Sequence, residues 1–192
     1  MGAQQSLFGH WIGTHLAPNG LGAAGWARIS PCGLYRYELG RHWGDHVDDE
    51  GPPPPGVTFI MLNPSTADAT VDDPTIRRCM GFAKRLGHSS LLVVNLFAFR
   101  ATDPAELDKA DDPIGPENDA TIRRACLPSV SKVLIAAWGA LGTRYLTRVN
   151  EVLHIVTTEA HRHLAYFGNT KSGQPKHPLY LASNAELLKP WG

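Results

Sequence analysis

The stretch Val57-Thr58-Phe59-Ile60-Met61-Leu62-Asn63-Pro64-Ser65-Thr66 decides how this chain is read. Its apolar run ends on an asparagine directly before a proline, the pattern of a buried strand that delivers a polar group to the rim of a sheet. The device recurs outward from there. Leu91-Leu92-Val93-Val94-Asn95-Leu96 is a second apolar run with Asn95 near its end, and Val133-Leu134-Ile135-Ala136-Ala137-Trp138-Gly139 is a third. Far downstream, Pro175-Lys176-His177-Pro178-Leu179-Tyr180 again sets a polar residue before proline. Between these runs the helix starts are marked. Asp73-Pro74-Thr75-Ile76 offers a carboxylate cap and a proline at the first helical position, predicting a helix through Phe82 to about Leu86 with Gly87 as its stop. The related phrase Asn118-Asp119-Ala120-Thr121-Ile122-Arg123-Arg124 opens a second helix that solves the same capping problem and stops before Pro128. A third is expected from near Ala140 to about Val152, followed by a short strand at His154-Ile155-Val156 and a polar loop over 157–176. Alternating strands and helices imply an α/β fold with a largely parallel sheet, helices on both faces and a site at the strand C-termini. Asn63, Asn95 and His177 are therefore expected to meet on one rim.

Before this core, residues 1–27 are rich in Gly and Ala without sustained periodicity and read as a loosely ordered arm. Leu34-Tyr35-Arg36-Tyr37-Glu38-Leu39 alternates as a β-hairpin or edge strand would. Gly51-Pro52-Pro53-Pro54-Pro55-Gly56 is a stiff connector, since proline suits neither helix interior nor central strand. At 192 residues the chain fits a single α/β domain, placed at 28–192. Cys32, Cys79 and Cys126 are odd in number and widely spaced, which argues against a disulfide framework, a zinc ribbon or a four-cysteine cluster. No charged-then-apolar leader and no run of about 18 apolar residues is present, so a soluble cytoplasmic protein is expected. The formal net charge is zero, from 18 basic and 18 acidic residues, which weighs against a strong overall attraction to nucleic acid. Local charge is uneven: basic residues pair at Arg77-Arg78, Lys84-Arg85 and Arg123-Arg124, and Lys171 and Lys176 flank the His-Pro motif.

Other chemistries fit less well. Asp68, Asp72 and Asp73 suit capping and loop solvation better than magnesium. His42 with His46, or His161 with His163, would need a third metal ligand that the sequence does not place. Gly139-Ala140-Leu141-Gly142 turns the chain into a helix, and Ser65 lacks the Gly-x-Ser-x-Gly setting of a serine hydrolase. No metal and no cofactor is expected.

The ordered set Met61-Leu62-Asn63-Pro64-Ser65, Leu92-Val93-Val94-Asn95-Leu96, Val133 to Gly139 and His177-Pro178-Leu179-Tyr180-Leu181 resembles the motifs of the uracil-DNA glycosylase superfamily over roughly residues 57–182. The whole chain is also similar to a bacterial family of unknown function, through Leu62-Asn63-Pro64-Ser65-Thr66-Ala67-Asp68-Ala69 and Asn95-Leu96-Phe97-Ala98-Phe99-Arg100. The glycosylase resemblance implies a three-layer sandwich with a central, mostly parallel four-stranded sheet preceded by an N-terminal hairpin or edge strand. It implies hydrolysis of the N-glycosidic bond of a pyrimidine flipped out of single- or double-stranded DNA, by a monomer without a membrane partner. Asn63 then positions the water, His177 donates to the developing anion on the base, and Asn95 reads the base edge, with Pro64, Ser65 and Thr66 lining the base. Ser65 stands where the uracil-restricted branch carries a tyrosine that blocks the pyrimidine 5-position. This implies a 5-modified substrate, such as hydroxymethylated or glucosylated cytosine, or uracil or thymine. Leu179-Tyr180 replaces the usual Ser-Pro, so phosphate contacts pass to Thr170, Lys171, Ser172 and Lys176, and Leu181 falls at the apolar wedge. The residues themselves leave open a binding module that does not cleave, or a hydrolase of free nucleosides or nucleotides.

Overall fold

A computed structural model describes residues 17–19, 23–43 and 56–191. Its elements are β1 (Ala17–Asn19), β2 (Ala23–Ile29), β3 (Arg36–His42), β4 (Gly56–Met61), α1 (Pro74–Arg85), β5 (Ser90–Asn95), α2 (Asn118–Ala125), β6 (Ser131–Ala136), α3 (Leu146–His154), β7 (Leu164–Tyr166) and β8 (Leu188–Trp191). The strands form one mixed sheet in the order β1-β2-β3-β5-β4-β6-β7-β8. Its centre, β5-β4-β6-β7, is parallel, while β1, β2, β3 and β8 join antiparallel. The sheet thus has eight strands in all, of which the central four are parallel.

Period-two alternation divides the core into two layers. Val57, Phe59, Met61, Leu91, Val93, Ile135 and Ala137 face α1, whose Ile76, Cys79, Met80, Phe82 and Ala83 cover them. Ile60, Leu92, Val94, Leu134 and Ala136 face the other way, against Ile122 and Ala125 of α2 and Val149 and Val152 of α3. Both faces of the central strands are therefore apolar, as a parallel sheet between helices requires.

α1 begins as its sequence predicts: Asp73 accepts from the Ile76 N–H at 2.8 Å, Pro74 takes the first helical position, and Gly87 follows the C-cap with φ 79°. α2 differs, because it has no side-chain cap. Asn118 instead donates its amide to the Asn95 and Leu96 carbonyls at 3.1 and 3.0 Å, fixing the end of β5.

Three expectations are corrected. His154-Ile155-Val156 is no strand: Ile155–Glu159 is a π-helical continuation of α3, and the fourth parallel strand is Leu164–Tyr166. The β-branched run has strand propensity, but Ile155 and Val156 continue the buried face begun by Val149 and Val152, and that packing prevails. The alternating segment does form a hairpin, β2-β3, yet β3 lies inside the sheet between β2 and β5. Both faces of β3 are covered along its whole length, so Arg36 and Glu38 are buried although alternation would turn them outward, and the ladder to β2 skips a register at Tyr37. Finally, residues 17–19 and 23–27, read as part of a loose arm, are strand residues. The rest of that arm, the proline connector 51–55 and His46 lie outside the described residues.

Candidate active site

The registers bring the motif residues to one end of the sheet. Met61 pairs with Asn95 and Ile60 with Ala136, so Asn63 and Gly139 both emerge just past the ends of adjacent strands. The ladder continues beyond them, with the Leu96 N–H donating to the Met61 carbonyl at 2.8 Å and that of Phe97 to Leu62 at 3.0 Å.

Asn63 is half-buried, and its amide nitrogen donates to the Ala101 carbonyl at 2.8 Å and to that of Pro64 at 3.1 Å. The loop is closed by the Ala101 N–H on the Pro64 carbonyl at 3.0 Å. With both amide hydrogens spent on backbone, Oδ1 is the group Asn63 can offer to a ligand, and it can only accept. It can hold a water by one of its hydrogens.

Asn95 is 1% exposed, and neither Nδ2 nor Oδ1 has a hydrogen-bond partner among the described residues. Burying such an amide unpaired costs about 1–3 kcal/mol. By alternation along β5 it shares the α1 face with Met61 and Val93. An amide with both ends unmet can read a donor and an acceptor on one molecular edge.

His177 caps the short helical turn Pro178–Tyr180, its Nδ1 accepting from the Leu179 N–H at 3.3 Å. That places the proton of a neutral ring on Nε2. Burial pushes the imidazole below its usual 6.5, with the Asp73 charge opposing, so the ring is a neutral Nε2–H donor at physiological pH. Its loop is held from β6: the Gly139 N–H donates to the Pro175 carbonyl at 3.0 Å, and the Trp138 indole N–H to Gln174 Oε1 at 2.8 Å. Gly139 has φ 79°, and a Cβ there would lie 3.0 Å from that of His177. Gly139→Ala is therefore expected to destabilise the protein by about 1–2 kcal/mol through its left-handed backbone and to displace His177. A thermal melt measures the first effect, and the histidine ring's NMR titration the second. An unmoved titration would mean that Gly139 does not set the ring's position.

The remaining predicted residues divide. Pro64 is buried, Ser65 half-buried and Thr66 exposed on the loop after β4. Thr170, Lys171 and Ser172 form the tip of a hairpin closed by an Asn169–Pro175 bridge, with Lys171, Ser172 and Lys176 exposed and the Thr170 and Ser172 hydroxyls 3.1 Å apart. Leu181 departs from its expected wedge role: it is half-buried against the α1-side core, and its carbonyl accepts from Arg78. The side chains that project beside His177 are Leu179, 37% exposed, and Tyr180, 84% exposed. Asp68, Asp72 and Asp73 serve structure, in an Asp68 turn, an ion pair of Asp72 with the buried Arg41 at 2.7 Å, and the α1 cap.

Sequence reading missed Arg36. This 3%-exposed guanidinium donates to the Ala67 carbonyl, yet its Nε has no partner and no carboxylate pairs with it among the described residues. Burial lowers its pKa to about 10, which leaves it charged at neutral pH. Its only sequence signal was a cation inside an alternating strand, which reads as solvent-facing.

Among the described residues, no three His, Cys, Asp or Glu side chains gather as metal ligands would, and no helix is long and apolar enough to cross a membrane. Cys32, Cys79 and Cys126 are free thiols, the latter two buried. No curated protein and no solved structure matches the chain significantly. Residues 36–179, which hold Asn63, Asn95 and His177 together with Arg36, match the family described as Protein of unknown function (DUF1643), and the chain belongs to that family.

Proposed function

We propose that this rim binds a pyrimidine flipped out of DNA and hydrolyses its N-glycosidic bond, on a glycosylase-like three-layer α/β frame. The observation that carries the reading is Asn95: a buried amide with both polar ends unmet, at the same end of the sheet as Asn63, whose Oδ1 can accept, and as the loop that carries the neutral Nε2–H donor of His177. In folded proteins most buried side-chain amides of this kind meet a protein group, an ordered water or a ligand.

The roles follow from these groups. Asn95 reads the base edge. As the bond from C1′ to the ring nitrogen breaks, its electron pair leaves with the base, and His177 Nε2–H donates to the pyrimidine oxygen where that charge develops. The sugar becomes cationic, and the water held by Asn63 Oδ1 forms the new C1′–O bond, its proton passing to solvent. Asn63 need not be a strong base, because the electrophile is already a cation. The products are the free base and an abasic sugar. Because Asn95 is sealed from solvent in this state, the base reaches it only when the segments that cover it move aside. In this reading the exposed Lys171, Ser172 and Lys176 supply the phosphate contacts, and the exposed Tyr180 serves as the wedge in place of Leu181.

The test incubates the protein with duplexes and single strands carrying uracil, mismatched thymine, or hydroxymethylated or glucosylated cytosine, followed by alkali. Scission at the target base is expected for at least one substrate. Uncut DNA across the panel, with base released from mononucleosides instead, would favour the free-nucleoside reading, which the zero net charge supports.

Selectivity rests on Ser65. Ser65→Tyr is expected to suppress cleavage of a 5-substituted base by roughly ten- to a hundredfold while sparing uracil, since overpacking costs about 1–3 kcal/mol. Relative rates on the two substrates, with a melt to show folding, measure it. Equal loss on both would remove Ser65 from the 5-position.

A further inference from the structure

The segment around Arg36 contains more than one unmet donor. The Arg36 N–H donates to the Ala98 carbonyl at 3.0 Å and the Arg100 N–H to the Leu34 carbonyl at 2.9 Å, framing an antiparallel Tyr35–Phe99 bridge. Period two then turns Arg36 and Arg100 to one face of this ladder and Tyr35 and Phe99 to the other, where their rings meet edge-on at 6.2 Å. Arg36 and Arg100 are diagonal neighbours, a relation that sets side chains about 7–8 Å apart. Each Nε is buried without a partner among the described residues, and neither arginine has an ion pair there. Arg100 Nη1 donates to the Gly33 carbonyl at 3.3 Å and the Asp73 and Asp68 charges act on Arg36, so what each arginine leaves unmet is its Nε. Arg36 lies on the side of the site, since it donates to the Ala67 carbonyl in the loop after β4 and the Asp73 charge acts on both Arg36 and His177.

We propose that Arg36 and Arg100 form an anion clamp that takes a phosphate group of the nucleotide whose base Asn95 reads. The base identity rests on the glycosylase reading; the clamp does not. Guanidinium is the side chain suited to phosphate, offering paired N–H donors in a plane. The phosphate can belong to the DNA backbone beside the flipped nucleotide or to a free nucleotide, and the two sources separate experimentally.

The full chain is first melted in inorganic phosphate against chloride at equal ionic strength. Phosphate at ten times its dissociation constant should raise the melting temperature by about 3–6 °C. Arg100→Gln should weaken that affinity at least about tenfold. Arg36→Lys keeps the charge but loses the planar fork, and should do the same without leaving a neutral group in the core. For the source, binding of dUMP is compared with deoxyuridine, and binding of a uracil duplex with that of the same duplex carrying methylphosphonates on either side of the target. A backbone phosphate predicts that the methylphosphonates weaken the wild type about tenfold and Arg100→Gln no further. A free nucleotide predicts that dUMP binds, deoxyuridine does not, and the methylphosphonates are silent. Phosphate that stabilises no more than chloride, with duplex binding unchanged in Arg100→Gln, would overturn the clamp even if DNA is cut. Phosphate binding lost in Arg100→Gln, with no DNA ever cut, would keep the clamp and sink the glycosylase reading instead.

Discussion

Replacing His177 by alanine is expected to lower base release by about 10²–10³-fold, typical of losing one preorganised donor to a developing anion, with DNA affinity nearly unchanged. The geometry sharpens this expectation. With Nδ1 accepting from the Leu179 N–H, the ring can act only through Nε2. His177→Gln, whose amide N–H reaches a similar point, should therefore recover part of the rate, whereas His177→Phe should not. The pH dependence has a definite sign. Burial disfavours the charged imidazole, so the folded pKa lies below 6.5. Between the folded value and 6.5 the unfolded chain binds more protons, so this residue's contribution to stability is complete above 6.5 and declines as pH falls through that window. The acid loss of activity should likewise lie below pH 6.5. A rate that rises on acidification through 6.5 would mean that the cation is the active form, and a rate unchanged in His177→Ala would take the residue out of the mechanism.

Asn95→Leu should make the protein more stable and nearly inactive at once. Leucine has a similar outline and nothing to satisfy, so the variant removes a cost of about 1–3 kcal/mol and should raise the melting temperature by several degrees. Losing both contacts to the base edge should reduce cleavage by about 10²-fold. Few substitutions of a fully buried polar residue stabilise, and those that do point to groups kept for function. A melt and a single-turnover rate test both halves. If stability falls by several kcal/mol, Asn95 is a structural residue and the proposed site loses its reader.

What the sequence made legible was local or periodic. Asp73-Pro74 starts α1 wherever the helix packs, and the apolar runs ending at Asn63 and Asn95 end on one rim because parallel strands share a direction. Tertiary context settled the rest. Ile155 and Val156 look like strand residues until α3 and the sheet place them in one core. Arg36 looks solvent-facing until both faces of β3 are found covered. Asn118 looks like a helix cap until its amide is found on the carbonyls of β5. Leu181 matched a motif position, but the α1 arginines draw the 181–185 segment down onto the helix and leave Tyr180 projecting. In each case the missing information was a partner distant in sequence.

The last strand bears on how the protein is handled. β8 closes the sheet beside β7, and its Trp191 rests edge-on against Trp138 at 4.9 Å and donates to Asn169 at 3.0 Å, at the base of the 169–175 hairpin. Lys189 and Pro190 give this outer edge a charge and a missing N–H, features that discourage a second chain from adding on. Trimming the segment after Glu186 would strip that guard from β7 and expose Leu164–Tyr166, a bare strand edge ready to pair with its like. Such a truncated preparation should form soluble oligomers or precipitate, visible by light scattering, and lose order in the hairpin as well.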